Sequence, residues 1–109
     1  IKAPDVKTTK ENLAAALAGE NHERLSMYPE FIRQAEGENN RKAIRTFKFA
    51  LEAESMHAKY FEEATKNLEA WRGAKTFLVC SNCGYTTADG TIKKCPVCHY
   101  PRKKINEVK

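Results

Sequence analysis

Apolar side chains in the first third of the chain fall at Leu13, Leu17, Met27 and Phe31, with Glu20 in the same phase, the spacing of a single helical face. Thr8 and Glu11 ahead of them form a capping box that starts this helix. Residues 1–7 contain Pro4 and no periodicity, and read as a lead-in. Pro29 lies inside the helical pattern, so it should kink the helix or leave a carbonyl unpaired one turn earlier, near Leu25. Gly37, Asn39 and Asn40 mark a short turn. Beyond it Ile44, Phe47, Leu51, Glu54, His57 and Phe61 repeat the helical spacing and predict a second, longer helix from about Asn40 to Trp71. A short connection makes the two helices antiparallel neighbours. After Arg72 and Gly73 the pattern changes to a strand at Phe77-Leu78-Val79, with Asp89-Gly90 as a tight turn between short strands. The predicted organisation is a helical hairpin over residues 1–72, a linker over 73–76 and a small β unit over 77–109.

A β unit of about thirty residues leaves about seventy for the helices, too few for a self-sufficient core. Their apolar face would stay open unless a second copy covered it, so an obligate oligomer is expected. The chain has no apolar run long enough to span a membrane, and its opening, Ile1-Lys2-Ala3-Pro4-Asp5, lacks a signal-peptide core. The formal net charge is +5, and Lys93, Lys94, Arg102, Lys103, Lys104 and Lys109 crowd the C-terminal unit. Such a surface could grip phosphates, dock an acidic electron donor or simply be solvated. Neither nucleic acid nor membrane is an expected partner.

All four cysteines lie in two knuckles, Cys80-Ser81-Asn82-Cys83 and Cys95-Pro96-Val97-Cys98, separated by eleven residues. Two Cys-x-x-Cys pairs hold a metal far more readily than they form bridges. Four thiolates in a tetrahedral set restrict the ion to zinc or iron. Cysteines engaged in this way fit a reducing compartment, so a cytoplasmic location is expected. A structural zinc ribbon is the plainer reading. Gly84 and Tyr85 after the second cysteine, with Pro96 after the third, resemble rubredoxin knuckles. That resemblance implies one redox-active iron, with zinc as a possible substitute.

Glu20 shares its helical face with Leu17 and Met27, and Glu23 follows one turn later. On the second helix Glu54 and His57, at i and i+3, interrupt the middle of the apolar stripe. Burying one such charge unpaired costs several kcal/mol, and a metal removes that cost. A Glu on one helix with Glu-x-x-His on its neighbour is half of a di-iron carboxylate site in a four-helix bundle. Glu62, Glu63 and Glu69 read as solvated, His22 and Glu30 as surface or supporting residues, and His99 as a surface residue rather than a fifth ligand.

Together these residues resemble the rubrerythrin family, which joins a ferritin-like di-iron bundle to a C-terminal rubredoxin-like iron domain. The resemblance covers essentially residues 8–105 and rests on Ala18-Gly19-Glu20-Asn21-His22-Glu23, Met27-Tyr28-Pro29-Glu30-Phe31, Ala53-Glu54-Ser55-Met56-His57 and both knuckles. It implies a mainly α fold with a small β metal ribbon: an antiparallel hairpin, half of a ferritin-like four-helix bundle completed by another chain, plus a rubredoxin-like four-cysteine domain. Glu20 is then a terminal iron ligand, Glu54 a bridging one and His57 a nitrogen ligand. Glu23 is the carboxylate that binds or releases iron with redox state, and Tyr28 hydrogen-bonds a ligating carboxylate. Family bundles have four helices, and the first Glu and first Glu-x-x-His of the pattern are absent here. The missing ligands are expected from a second copy, in a homodimer or higher homo-oligomer, or from a missing N-terminal half, which the start at Ile1 rather than Met keeps open.

By the same resemblance the expected activity is reduction of hydrogen peroxide to water at the di-iron centre, refilled one electron at a time through Cys80, Cys83, Cys95 and Cys98. A reduced-nicotinamide-dependent rubredoxin reductase or rubredoxin would be the donor, and zinc could occupy either site. A ferroxidase or iron-handling role would leave the four-cysteine unit without a purpose. A zinc-ribbon adaptor would leave the in-phase carboxylates and histidine unexplained.

Overall fold

The computed structural model describes residues 5–73 and 75–108. Residues 1–4 of the lead-in, Ala74 of the linker and Lys109 of the basic tail lie outside the described residues. Helix α1 runs Thr9–His22, α2 Tyr28–Gly37 and α3 Arg41–Lys66, with a π-helical turn over Glu23–Met27 joining α1 to α2. The C-terminal unit is a three-stranded antiparallel sheet in the order β2-β1-β3, with β1 Phe77–Cys80, β2 Thr86–Thr87 and β3 Ile105–Val108. No helix among the described residues is long and apolar enough to cross a membrane.

Thr8 caps α1 as expected, its hydroxyl accepting the Glu11 N–H at 3.2 Å. The reciprocal half of the box is replaced by Asn12, whose Oδ1 accepts the Lys7 N–H at 2.9 Å. Pro29 produces the π turn. Its ring cannot donate a hydrogen bond and crowds the carbonyl four residues back, so the turn widens, and the Tyr28 N–H reaches back to the Glu23 carbonyl. The expected kink is therefore absorbed as an inserted residue in a helix that continues to Gly37. Asn39, not Gly37, takes the left-handed conformation at the turn (φ 54°), and Asn40 caps α3 by accepting the Ala43 N–H at 3.0 Å.

Helix α3 is shorter than predicted. It stops at Lys66, and residues 67–72 form turns. Trp71 is the reason. Along a continuous helix it would stand about 16 Å beyond Tyr60. The chain folds back instead, bringing the Trp71 ring 5.9 Å from Tyr60 and 6.3 Å from Phe77, at the start of β1. Tyr60 also meets Phe77 edge-on at 5.5 Å. This aromatic trio fastens the sheet to α3. The Asp89-Gly90 turn is present, with Asp89 Oδ1 accepting the Thr91 N–H at 2.9 Å. It leads to an isolated Lys94–Pro101 bridge rather than to another strand.

The core is divided unevenly. In the C-terminal unit Leu78, Cys80, Cys95 and Ile105 are buried together. Within the helices the buried hydrophobic residues among those described are all alanines, Ala35, Ala53, Ala58 and Ala64. Leu13, Leu17, Ile44, Phe47, Leu51 and Phe61 are only half-buried, and Leu25 is 65% exposed. The apolar stripe of the hairpin is thus left uncovered by its own chain. Trp71→Ala should remove two aromatic contacts and loosen the sheet from α3, lowering stability by about 2–3 kcal/mol in chemical denaturation of the zinc-loaded protein.

Candidate metal centres

Two groups of side chains could each hold a metal ion: Glu20, Glu54 and His57 between the helices, and the four cysteines in the sheet unit. Helix α1 presents Glu20 toward α3, where Glu54 and His57 lie one turn apart. Their ligand atoms all fall within 4.8 Å of one another. His57 Nδ1 lies 3.6 Å from Glu20 Oε2 and 3.8 Å from Glu54 Oε2. Donors sharing one ion at about 2.1 Å are separated by about 3–4 Å, so this spacing suits a metal. The two carboxylate side chains are 18% and 15% exposed. Their inward oxygens, Glu20 Oε2 and Glu54 Oε2, are buried without a hydrogen-bond partner among the described residues. Orphaned buried carboxylate oxygens facing an imidazole nitrogen fit a cation between them.

Glu23 does not join this group; it is half-buried at the head of the π turn. The Tyr28 ring packs on Phe31 and Phe47, with centroids at 6.1 and 6.2 Å. Among the described residues its hydroxyl makes no hydrogen bond to a carboxylate. Glu62 and Glu69 are exposed and pair with Lys66 and Arg72 at 2.9 and 3.1 Å, as solvated charges do. Glu63, His22 and His99 are exposed too, and Glu30 pairs with Arg33.

The four cysteines are free thiols, with Sγ atoms 3.5 Å apart for Cys80 and Cys98 and 3.6 Å for Cys83 and Cys95. A tetrahedron with metal–sulfur bonds of about 2.3 Å has edges of about 3.8 Å, so the cage is close to the size an ion requires. Both knuckles fold alike. In the first, Gly84 N–H donates to Cys80 O and Cys80 N–H to Tyr85 O, at 3.0 and 2.9 Å. In the second, His99 and Tyr100 take the same places at 2.9 and 2.8 Å. This closure puts Gly84 and His99 at positive φ, 80° and 68°, the left-handed region that glycine enters without cost.

Burial pushes the Cys80 and Cys83 thiols above the ordinary value of 9.0. Burial opposes ionisation of Cys98 too, but the Asn82 side chain and the Tyr100 backbone N–H bring that sulfur down to about 7. A metal must therefore displace protons from at least two reluctant thiols.

The sheet unit meets the carboxylate group directly. His57 Nε2 is 3.0 Å from Thr86 Oγ1, and the Thr86 hydroxyl donates to the Gly84 carbonyl at 3.0 Å. One turn on, the Tyr60 hydroxyl accepts the Ala88 N–H at 2.8 Å. Ala53 leaves room for this approach, since a side chain built on Gly84 would come within 3.9 Å of its Cβ. Thr86 and Tyr60 carry no sequence signal of this role, because the contact joins residues 29 positions apart. An open, mainly apolar cleft of about 500 Å³ runs beside Glu20 and His57, lined by Leu13, Phe61, Trp71 and Phe77.

The rubrerythrin family model matches residues 2–65. The chain belongs to the rubrerythrin family. The model of the rubrerythrin rubredoxin-like domain matches residues 79–106. Rubrerythrin-2 of Clostridium acetobutylicum is 38% identical over 97 residues, covering 87% of this chain and 53% of the relative. Nigerythrin of Nitratidesulfovibrio vulgaris is 37% identical, covering 94% and 50%. The fully reduced, all-ferrous structure of nigerythrin superposes with a TM-score of 0.88 at 34% identity, covering 99% of this chain and 53% of that one. The chain thus spans about half the length of the relatives it matches. As in other rubrerythrins, a ferritin-like helical unit is joined to a rubredoxin-like one, and among the described residues each carries a group that could hold a metal.

The stability of the metal-free sheet unit should have a maximum in pH. Cys98 ionises first in the folded state, so stability rises between about 7 and 9.0. The raised thiols hold their protons more tightly when folded, so their contribution is lost as pH climbs above 9.0. The loaded unit behaves oppositely at the acid end and should release metal as pH falls, as sulfur is reprotonated. Thermal unfolding of the stripped protein and chelator-monitored zinc release across pH check the two limbs.

Proposed function

We propose that this chain is one half of a di-iron peroxidase that reduces hydrogen peroxide to water, with electrons relayed through a rubredoxin-type iron on Cys80, Cys83, Cys95 and Cys98. The observation that carries the reading is the pair of buried, unpartnered oxygens of Glu20 and Glu54 facing His57, one hydrogen bond away from the four-cysteine unit. When bound, a diferrous pair supplies two electrons to hydrogen peroxide, which with two protons gives two waters. Glu20 and Glu54 would hold that pair as hard anionic donors, Glu54 bridging, and His57 would add the nitrogen donor. Glu23 would be the carboxylate that joins or leaves such a centre with redox state. Its position in a π turn supports this, since such turns concentrate at functional sites. Tyr28 would donate a hydrogen bond to a carboxylate once the remaining ligands are in place.

Three donors are half of what a di-iron carboxylate centre uses. The rest come from another polypeptide, either a second copy related by a two-fold axis or a chain carrying the other half. The half-buried stripe from Leu13 to Phe61 and the open cleft beside His57 support a covering partner. In a reducing cytosol, a nicotinamide-dependent rubredoxin reductase or rubredoxin would deliver the electrons.

An iron assay on freshly prepared, fully assembled protein should give about two irons per carboxylate centre and one per ribbon. That is about four per centre in a two-fold pair of this chain and about three where the other half carries no ribbon. Protein that accepts only zinc would point instead to a structural ribbon. His57→Ala should abolish peroxide turnover and deplete the carboxylate-bound iron while the thiolate-to-iron absorption persists. Cys98→Ser should slow turnover driven by a protein donor, yet chemically reduced protein should still consume peroxide in a single turnover. A Cys98→Ser variant that turned over at the normal rate with a protein donor would assign the sheet unit a purely structural role.

A further inference from the structure

We propose that Thr86 is a positioning residue for the carboxylate group: its hydroxyl holds His57 in the single tautomer whose Nδ1 lone pair points toward Glu20 and Glu54. A threonine hydroxyl has one proton to donate. That proton goes to the Gly84 carbonyl at 3.0 Å. The contact of 3.0 Å between Thr86 Oγ1 and His57 Nε2 therefore forms with the oxygen accepting and Nε2–H donating. In a neutral imidazole the other nitrogen is then unprotonated. Nδ1 sits 3.6 and 3.8 Å from the two carboxylate oxygens, beyond hydrogen-bond reach, so no proton links them. Three electron-rich atoms thus face one another, an arrangement that a cation turns from repulsive to attractive.

Gly84 is a firm anchor for this hydroxyl. Its φ is 80° and its own N–H is committed to Cys80 O at 3.0 Å, inside the first knuckle. The tautomer of a histidine on α3 is consequently set by a residue of the four-cysteine unit. The significance of this lock for metal binding rests on reading Glu20, Glu54 and His57 as ligands, whereas the tautomer itself can be observed without metal at that site.

The test uses the whole chain, with one equivalent of zinc and ¹⁵N-labelled histidine. The exposed His22 and His99 serve as references. Long-range ¹H–¹⁵N spectra of the unsubstituted protein should show His57 as the Nε2–H tautomer alone. Thr86→Val, nearly isosteric but without the hydroxyl, should give a mixture of tautomers and bind ferrous or cobaltous ion at the carboxylate group about tenfold more weakly. Thr86→Ser should restore both, and cobalt absorption at the cysteines should be the same in all three proteins. A single Nε2–H tautomer in Thr86→Val, or a mixture already present in the unsubstituted protein, would overturn the proposal. The Nε2–H tautomer following the hydroxyl in protein that takes up no metal at the carboxylate group would uphold the role of Thr86 and overturn the ligand reading instead.

Discussion

Two carboxylate oxygens, Glu20 Oε2 and Glu54 Oε2, are held away from water with no hydrogen-bond partner among the described residues. Leaving such a charge unpaired costs several kcal/mol, a large part of a small domain's entire stability of about 5–15 kcal/mol. A helical hairpin that spends its central positions on these groups is not optimised as a core. The buried hydrophobic residues of the helices among those described are alanines, Ala35, Ala53, Ala58 and Ala64, which contribute little apolar area. On the proposed reading a cation would neutralise the carboxylates and another polypeptide would cover the open stripe, which accounts for both features.

The sheet unit solves a different problem. Its buried core consists of two cysteines with Leu78 and Ile105, flanked by half-buried Tyr85, Ile92 and Val97, enough for only marginal stability in some thirty residues. A metal held by the four sulfurs would add its binding energy to that small core. The two knuckles repeat one hydrogen-bonding scheme, which turns backbone amides toward the sulfurs and places Gly84 and His99 in the left-handed region. The unit meets α3 through Thr86 on His57 and Phe77 against Tyr60, with Gly84 facing Ala53 and Trp71 stacked on Phe77. His57, a candidate metal ligand, and Thr86 of the ribbon thereby share one hydrogen bond, so the two units are neighbours in structure as well as in sequence.

Much of this was legible in the chain itself. Apolar spacing identified both helices, Thr8 and Asn40 marked their starts, and the phase of Glu20 with Glu54 and His57 pointed to one buried cluster. The two Cys-x-x-Cys pairs pointed to one cluster of four sulfurs, and the structure gathers them within 4.8 Å of one another. These features are local: they follow from the helical repeat, from capping and from short turns, which nearby residues decide among themselves. What only the tertiary structure decided depends on distant partners. Helix α3 ends at Lys66 because Trp71 has Tyr60 and Phe77 to reach, although propensity and pattern would carry it further. Pro29 widens a turn rather than breaking the helix because both flanking segments pack on α3. Glu23, in phase by sequence, stands apart from Glu20, Glu54 and His57 where that turn widens. Thr86 meets His57 only once the sheet is folded against the hairpin, and no periodicity relates two residues brought together by packing across the fold.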